Sequence, residues 1–508
     1  MNEKKNIFFG SIISYITIFV EIIISIIFTP FLLRSLGDVD YGIRAFCVSL
    51  VGYLNLLTLG LSTSYYRFRK LQERTEADST KRINGLFVII FSFIALISLV
   101  VGLIFIFLIK NSFVSFNKFP PESKSTIVII LLIMVVQTTL HFPFSILTVI
   151  LGYRRKFVIR NIINLINIIL VPLLSTIVII FHIYNVLLIS ITLVSLLVSI
   201  TIDFSKAFIV FVKEKEKITF KLGRNEFKLI LPIFSYCIIS FVASAVSIIH
   251  NATDQIVIGA IISAEAVTFY SLSFTFSNYL ETMTTSVSSL FSPKLTNDAI
   301  ENKMDSVKKT CNFVWDTIAI ILVFIIGGFA SCGNEFVKGW IGSEKSAVYT
   351  YALLLLIVNA ITSGIKVSYS VQSALNKHKF AAIVYIIFLC VNIGLSILLS
   401  PLLEIYGVII ATLFSKLLET LTLSFYSKKI IGLSLSNYWV SLIKNGVIAF
   451  TSYAILRGVF SFLDIRYLSF YVQAIIKGSL YCLIFLPCAY LANKKFVHLF
   501  LKVLNKRD

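Results

Sequence analysis

Charge is scarce in this 508-residue chain. Only 14% of its residues are Asp, Glu, Lys or Arg, against 57% hydrophobic. Few water-soluble domains hide that much apolar surface, so most of it is expected to face lipid or neighbouring helices. Reactive motifs are scarce too. Seven cysteines form no CxxC pair and five histidines form no HExxH, so neither a disulfide framework nor a metal site is signalled. No glycine-rich phosphate loop ending in Lys-Ser or Lys-Thr occurs, so the chain carries no sign of nucleotide hydrolysis. The longest stretch between apolar runs, around Lys213 to Glu226, is under about 20 residues and too short for a catalytic domain. No catalytic residues, cofactor or metal ligands are assigned, and the chain is not expected to be an enzyme.

What the chain has is apolar runs. Fourteen are expected to cross a membrane: 7–33, 40–66, 83–109, 124–152, 157–181, 184–211, 228–259, 264–292, 307–330, 346–373, 380–401, 406–427, 438–461 and 467–491. Each has room for the roughly 20 helical residues that a hydrocarbon core of about 30 Å requires. The expected fold is an all-α polytopic membrane protein with about 14 transmembrane helices. Basic residues set its orientation. With the N-terminus inside, the cytoplasmic segments hold 32 Lys and Arg, whereas the outer segments and helix ends hold nine. That bias puts both termini in the cytoplasm. The net charge of +20 then belongs to loops against an anionic membrane face, and nucleic acid is not an expected partner. The first run is about twice the length of a signal-peptide core, carries Glu21 and lacks a small-x-small site, so no cleaved leader is expected.

The second half of the chain echoes the first. Ser14-Tyr15 matches Ser235-Tyr236, Arg155-Lys156-Phe157 matches His378-Lys379-Phe380, and Asn167 matches Asn392. Pro172-Leu173-Leu174 likewise matches Pro401-Leu402-Leu403. The offsets run from 221 to 229 residues and keep one order, which predicts two pseudo-symmetric six-helix lobes, 1–215 and 216–430. Two additional helices and a basic tail occupy 431–508.

The most distinctive stretch is Thr29 to Lys70. It reads as a proline-marked helix end (Thr29-Pro30-Phe31), a polar turn of about seven residues from Arg34 to Gly42, and a second apolar run closing on Leu59-Gly60-Leu61 before Arg67, Arg69 and Lys70. With Gly52-Tyr53-Leu54, Thr253 to Gly259, Phe269-Tyr270-Ser271, Ser292-Pro293-Lys294-Leu295 and Tyr406 to Ala411, it resembles the polysaccharide flippases. These are bacterial exporters of lipid-linked oligosaccharide within the multidrug/oligosaccharidyl-lipid/polysaccharide superfamily. Thr58 and Arg44 depart from that family's usual acidic and apolar residues, respectively. The resemblance implies an inner-membrane protein working by alternating access. Its cargo would be oligosaccharide on undecaprenyl diphosphate, moved from the cytoplasmic to the outer leaflet for O-antigen, capsule, lipopolysaccharide or other surface polymers. Membrane lipids, a coupling H+ or Na+, and polysaccharide polymerase and chain-length machinery are the implied partners.

Charges inside the spans are the candidate functional groups, because each costs roughly 2.5–3.5 kcal/mol at a helix centre on insertion scales. Glu21, Glu281, Lys416 and Lys477 lie deep, and Lys366 and Asp316 about two turns in. Glu21 either binds a coupling ion or pairs with a lysine that merely holds the bundle. His250 and Asp254 share a helix face and form either a proton relay or a structural contact. Glu281 is a further ion-coupling candidate. Lys416 either neutralises Glu419, three residues on, or joins Lys366 and Arg44 in binding the diphosphate in a central cavity. Arg67 and Arg69 either meet that headgroup or serve only topology. Arg160, Asp203 and Lys206 read as interface anchors, Lys477 as the partner of an acidic residue or part of a tail groove, and His141-Phe142-Pro143 as a kink with a buried histidine. The rival functions are an ion-coupled multidrug or small-molecule antiporter and a membrane oligosaccharide polymerase.

Overall fold

A computed structural model describes residues 3–58, 60–73, 79–111, 118–181, 187–221, 223–375, 377, 379–463, 465 and 467–493. Its helices in chain order are α1 (Glu3–Gly52), α2 (Leu61–Gln72), α3 (Ser79–Lys110), α4 (Ser123–Tyr153), α5 (Phe157–Ile180) and α6 (Leu187–Phe208). There follow α7 (Arg224–Phe227), α8 (Ile230–Ile261), α9 (Ala264–Ile300), α10 (Met304–Ile341) and α11 (Ala347–Ala374). The last are α12 (Lys379–Leu403), α13 (Ile405–Ile431), α14 (Ser436–Phe462) and α15 (Phe470–Ala492). No strand occurs among the described residues. Eleven segments among them are long and apolar enough to cross a membrane: Ile16–Thr58, those built on α3 to α6, and those built on α10 to α15. The expected runs at 228–259 and 264–292 lie on α8 and α9, outside that set.

The distinctive stretch differs from its reading. Pro30 lies inside α1 and does not end it. Within a membrane bundle, neighbouring groups supply the hydrogen bond that a proline removes. The expected seven-residue turn shrinks to a single non-helical residue, Gly37, at φ 76° and ψ 172°. Only glycine takes such a conformation without strain, so one residue does the work of a loop. Ser35 Oγ bonds back to the Phe31 carbonyl at 2.9 Å on one side of the break. On the other side, Thr268 donates to the Asp38 carbonyl. The expected second run, 40–66, is also divided: the second half of α1, a 3₁₀ turn at Tyr53–Thr58, and the start of α2 beyond Gly60.

The chain forms two compact units, Met1–Thr268 and Phe269–Asp508. The first contains the expected lobe boundary at 215/216. In it α1 packs on α5 and α8, and α4 on α3 and α6. Gly42 of α1 presses so closely on the Ala264 carbonyl that a methyl group there would meet backbone. The core is apolar, with Tyr65, Phe87, Phe91, Phe142 and Ile146 almost wholly buried.

In the second unit α10 is central, packing on α11, α14 and α15, while α13 packs on α11 and α12. Large rings close on small residues here: Tyr438 lies against Gly364 and donates to the Ala360 carbonyl, and Tyr481 lies against Gly327. Trp315 Nε1 donates to the Gly364 carbonyl at 2.9 Å. Lipid is as apolar as leucine, so helices in a membrane associate through such close fits rather than through escape from water. The outward faces agree: Leu231, Leu402, Phe425 and Leu483 are each at least 70% exposed. That leaves apolar surface which only a lipid solvent accommodates.

Candidate functional site

Four charged side chains meet in the second unit. Glu281 comes from the middle of α9, Lys366 from α11, and Lys416 and Glu419 from neighbouring turns of α13. Lys366 Nζ lies 2.6 Å from Glu281 Oε1, and each side chain keeps 33% exposure. Lys416 Nζ lies 3.0 Å from Glu419 Oε2 and 3.2 Å from Oε1, in a drier setting. Lys366 also acts electrostatically on Glu419, so the two pairs form one cluster. Polar pins hold the scaffold. Asn359 of α11 donates to the Ser277 carbonyl of α9 at 2.8 Å, and Gln372 of α11 donates to Ser427 Oγ of α13 at 2.7 Å.

The cluster carries two positive and two negative charges and is neutral as it stands. A charge at such depth is tolerated when it has a counterion, and breaking the pair leaves the partner exposed to a low dielectric. Chemically the arrangement is an exchangeable counterion site. Protonating a carboxylate, or placing another cation on it, frees a lysine for an anion. The sequence reading that paired Lys416 with Glu419 matches the geometry; that Lys366 pairs with Glu281 was not foreseen.

The candidates of the first unit are not gathered in this way. Glu21 is exposed on α1, and among the described residues it makes no ion pair or hydrogen bond, so the expected lysine partner is not found there. Arg44, about two turns beyond the Gly37 break, is half-buried and makes no ion pair among the described residues. Arg67 is exposed on α2. His250 and Asp254 are both buried, and their nearest nitrogen and oxygen stand 4.0 Å apart. That is long for a hydrogen bond. Around them α8 is joined to the end of α1: Tyr53 and Thr253 hydroxyls share a 2.6 Å hydrogen bond, and Ser49 Oγ donates to Gln255 Oε1 at 2.7 Å. The motif residues at 253–255 thus form a polar seam between two helices.

Two further charge centres stand apart from this cluster, and the first of them went unrecognised in the sequence. At one end of the first unit, Glu216 accepts from Arg69 at 2.9 Å and from Arg154, with Asn84 donating to its other oxygen at 3.3 Å. Arg69 is 2% exposed and also donates to Tyr65. Burial pushes the Glu216 carboxyl up, but the guanidiniums of Arg69 and Arg154 outweigh it and hold the group below the usual carboxylate range. Arg69 is therefore a structural hub rather than a loop charge. The available signal was an alternation, Lys213-Glu214-Lys215-Glu216-Lys217, in which acidic residues interrupt a basic linker. In the second unit Lys477 of α15 finds its acidic partner in Glu335 of α10, at 2.6 Å. The anchors also differ from their reading. Asp203 is buried and sits 3.0 Å from Lys206 and 2.8 Å from His141 Nδ1, while His141 is 39% exposed instead of buried.

Comparison with known proteins puts this geometry in context. The sequence profile of a family described as "Polysaccharide biosynthesis protein" matches residues 31–350. No curated protein matches the sequence. A solved structure of the lipid II flippase MurJ in an inward closed conformation aligns with a TM-score of 0.70 at 17% identity, covering 96% of this chain and 100% of that one. An inward-facing multidrug resistance MATE family transporter of the MOP superfamily aligns at 0.63 and 11% identity, covering 83% and 98%. A MOP superfamily transporter from Pyrococcus furiosus, with a binding pocket of reverse polarity, aligns at 0.55 and 14%, covering 85% and 96%. At these identities the likeness is one of fold.

Proposed function

Because the chain belongs to the polysaccharide biosynthesis protein family whose profile spans residues 31–350, we propose that it is a flippase for undecaprenyl-diphosphate-linked oligosaccharide. It moves its cargo from the cytoplasmic to the outer leaflet of a bacterial inner membrane, for surface polysaccharide assembly. The family match carries this reading, and the resemblance in fold to a lipid II flippase supports it. The 32-to-nine distribution of basic residues supports fourteen spans with both termini cytoplasmic. The internal echoes support two lobes, 1–215 and 216–430, with 431–508 as an addition.

The proposed chemistry is an exchange of counterions during alternating access. A proton or sodium ion on Glu281 removes the carboxylate that holds Lys366. The freed ammonium then takes the cargo's diphosphate as a compact point charge. Lys416 contributes in the same way when Glu419 is neutralised. Arg44 and Arg67 are further cations for the diphosphate, Arg44 as a bidentate fork. Glu21, His250 and Asp254 are the remaining proton or ion sites. Polymerase and chain-length proteins receive the product.

A second reading, a small-molecule antiporter, draws on one specific observation: with both lysines paired, the cluster offers no net positive charge to an anion. One experiment separates the two. Cells depleted of the protein are labelled with radioactive sugar, and the extracted glycolipid is probed with a membrane-impermeant reagent. Glycolipid trapped in the cytoplasmic leaflet is the expected result. An unchanged pool would leave only the antiporter, and a pool that reaches the outer leaflet unpolymerised would point to a polymerase.

A further inference from the structure

The ends of α10 and α14 and the start of α15 enclose two adjoining cavities of about 360 and 480 Å³. Glu335, Phe460 and Lys477 line both, so the Glu335–Lys477 pair forms their common wall. The first cavity adds Lys338 and the second adds Arg457. The spacing explains the convergence: Glu335 and Lys338 stand three apart on α10, and Arg457 and Phe460 three apart on α14, so each pair shares a helix face. The wall is therefore three cations around one carboxylate. That carboxylate is already taken by Lys477, whose ammonium also lies 5.5 Å over the Phe460 ring. Among the described residues Lys338 and Arg457 have no acidic partner. Counted over the described lining residues, three cations stand against one carboxylate, an excess of about +2 at the end of a membrane bundle, which calls for an anion.

The surroundings say where the anion comes from. Phe462, Leu463, Tyr467, Phe470, Tyr471 and Ile475 are all at least 40% exposed beside these cavities, Phe462 at 90% and Tyr467 at 81%. Exposed aromatic rings next to cationic side chains mark the depth at which lipid headgroups lie. A cleft with apolar lips and a basic floor fits a molecule with acyl chains and a phosphate, and neither a free ion nor a sugar needs those lips.

We propose that the α10–α14–α15 cleft binds the phosphate headgroup of an anionic membrane phospholipid, with Lys338 and Arg457 as the phosphate ligands and the Glu335–Lys477 pair as their support. This site is separate from the Glu281–Lys366 cluster and does not depend on the identity of the transported cargo. The phospholipid would fasten α14 and α15 to α10 by bridging residues of both.

The test uses the purified full-length protein in detergent, titrated with phosphatidylglycerol and read by native mass spectrometry. The wild type is expected to retain phosphatidylglycerol over phosphatidylcholine, and Lys338→Ala/Arg457→Ala to bind it at least about tenfold more weakly. Arg457 is exposed, so the single variant Arg457→Ala guards against misfolding and should lose part of that affinity. Equal binding of the two lipids, or of phosphatidylglycerol by wild type and double variant, overturns the proposal. So does inorganic pyrophosphate binding as tightly as the lipid, which would make the site one for free phosphate. Undecaprenyl diphosphate displacing phosphatidylglycerol at far lower concentration would assign the cleft to cargo and overturn it too.

Discussion

Replacing Glu216 by glutamine keeps the side chain's shape and removes only its charge, which isolates what that charge does. Arg69 then stays in place with its side chain 3% exposed, keeping Tyr65 and Asn84 but losing the carboxylate at 2.9 Å. Removing one member of a buried ion pair destabilises by about 3–5 kcal/mol. Two features put this case at the low end. Glu73 lies 3.6 Å from the Arg69 Nε and offers a second carboxylate, and Arg154 is 45% exposed and rehydrates. We expect a loss of about 3 kcal/mol, which at about 2 °C per kcal/mol for a unit of this size lowers the melting temperature by about 6 °C.

The assay is thermal unfolding of the detergent-purified protein, followed by far-ultraviolet circular dichroism, which reads the helices of both units, at one fixed heating rate. A fixed rate matters because membrane proteins of this size unfold irreversibly and the apparent midpoint is partly kinetic. The control is Glu301→Gln, whose Lys303 partner lies in an exposed pair and whose loss should shift nothing measurable. Acid provides a second arm. The Glu216 carboxyl titrates below its ordinary value, so its stabilisation is fully present above the unfolded-state value and disappears as pH falls through the lowered one. Wild-type protein should therefore lose stability below about pH 4, and Glu216→Gln should lose less over the same range. A Glu216→Gln protein that melts with the wild type would refute the reasoning and make the network decorative.

The second-unit cluster makes its own predictions. Lys366→Met should abolish most glycolipid translocation. Adding Glu281→Gln should restore thermal stability without restoring transport, because the pair's structural and chemical roles then separate; full recovery of transport would sink the exchange scheme. Arg44→Ala should weaken translocation by roughly tenfold while leaving the melting temperature within about 1 °C, since no ion pair is lost. Gly42→Ala should destabilise by about 1–3 kcal/mol, because its methyl group meets the Ala264 backbone. Unchanged folding yield in that variant would mean the α1–α9 approach is looser than it looks.

The helical architecture was legible because hydrophobic run length is a local property. The narrow gap between the expected runs 157–181 and 184–211 lies outside the described residues, with α5 ending at Ile180 before it and α6 starting at Leu187 after it. The pairing Lys416–Glu419 was legible for the same reason, being three residues apart on one helix. Glu281 and Lys366 are 85 residues apart, Glu335 and Lys477 142, and Arg69 and Glu216 147. Periodicity says which face a residue occupies on its own helix and nothing about which other helix meets that face. The Gly37 turn was misjudged for a different reason. The stretch from Arg34 to Gly42, with its Arg, Ser, Gly and Asp residues, satisfies a loop pattern, yet all of it but Gly37 is helical and that one glycine makes the break.

The neutrality of the Glu281–Lys366 and Lys416–Glu419 cluster has an electrical consequence. A moving charge exchanges about 2.3 kcal/mol with a transmembrane voltage of 100 mV if it crosses the whole field, and a neutral pair exchanges none. With both lysines held, this cluster adds no voltage dependence to a rearrangement of the resting protein. Once a proton replaces Lys366 on Glu281, the freed cation and the entering anion no longer cancel by default, and their sum decides how strongly the field drives the step. Under the proposed exchange the pairing would work as an insulator, confining the cluster's voltage sensitivity to the loaded protein.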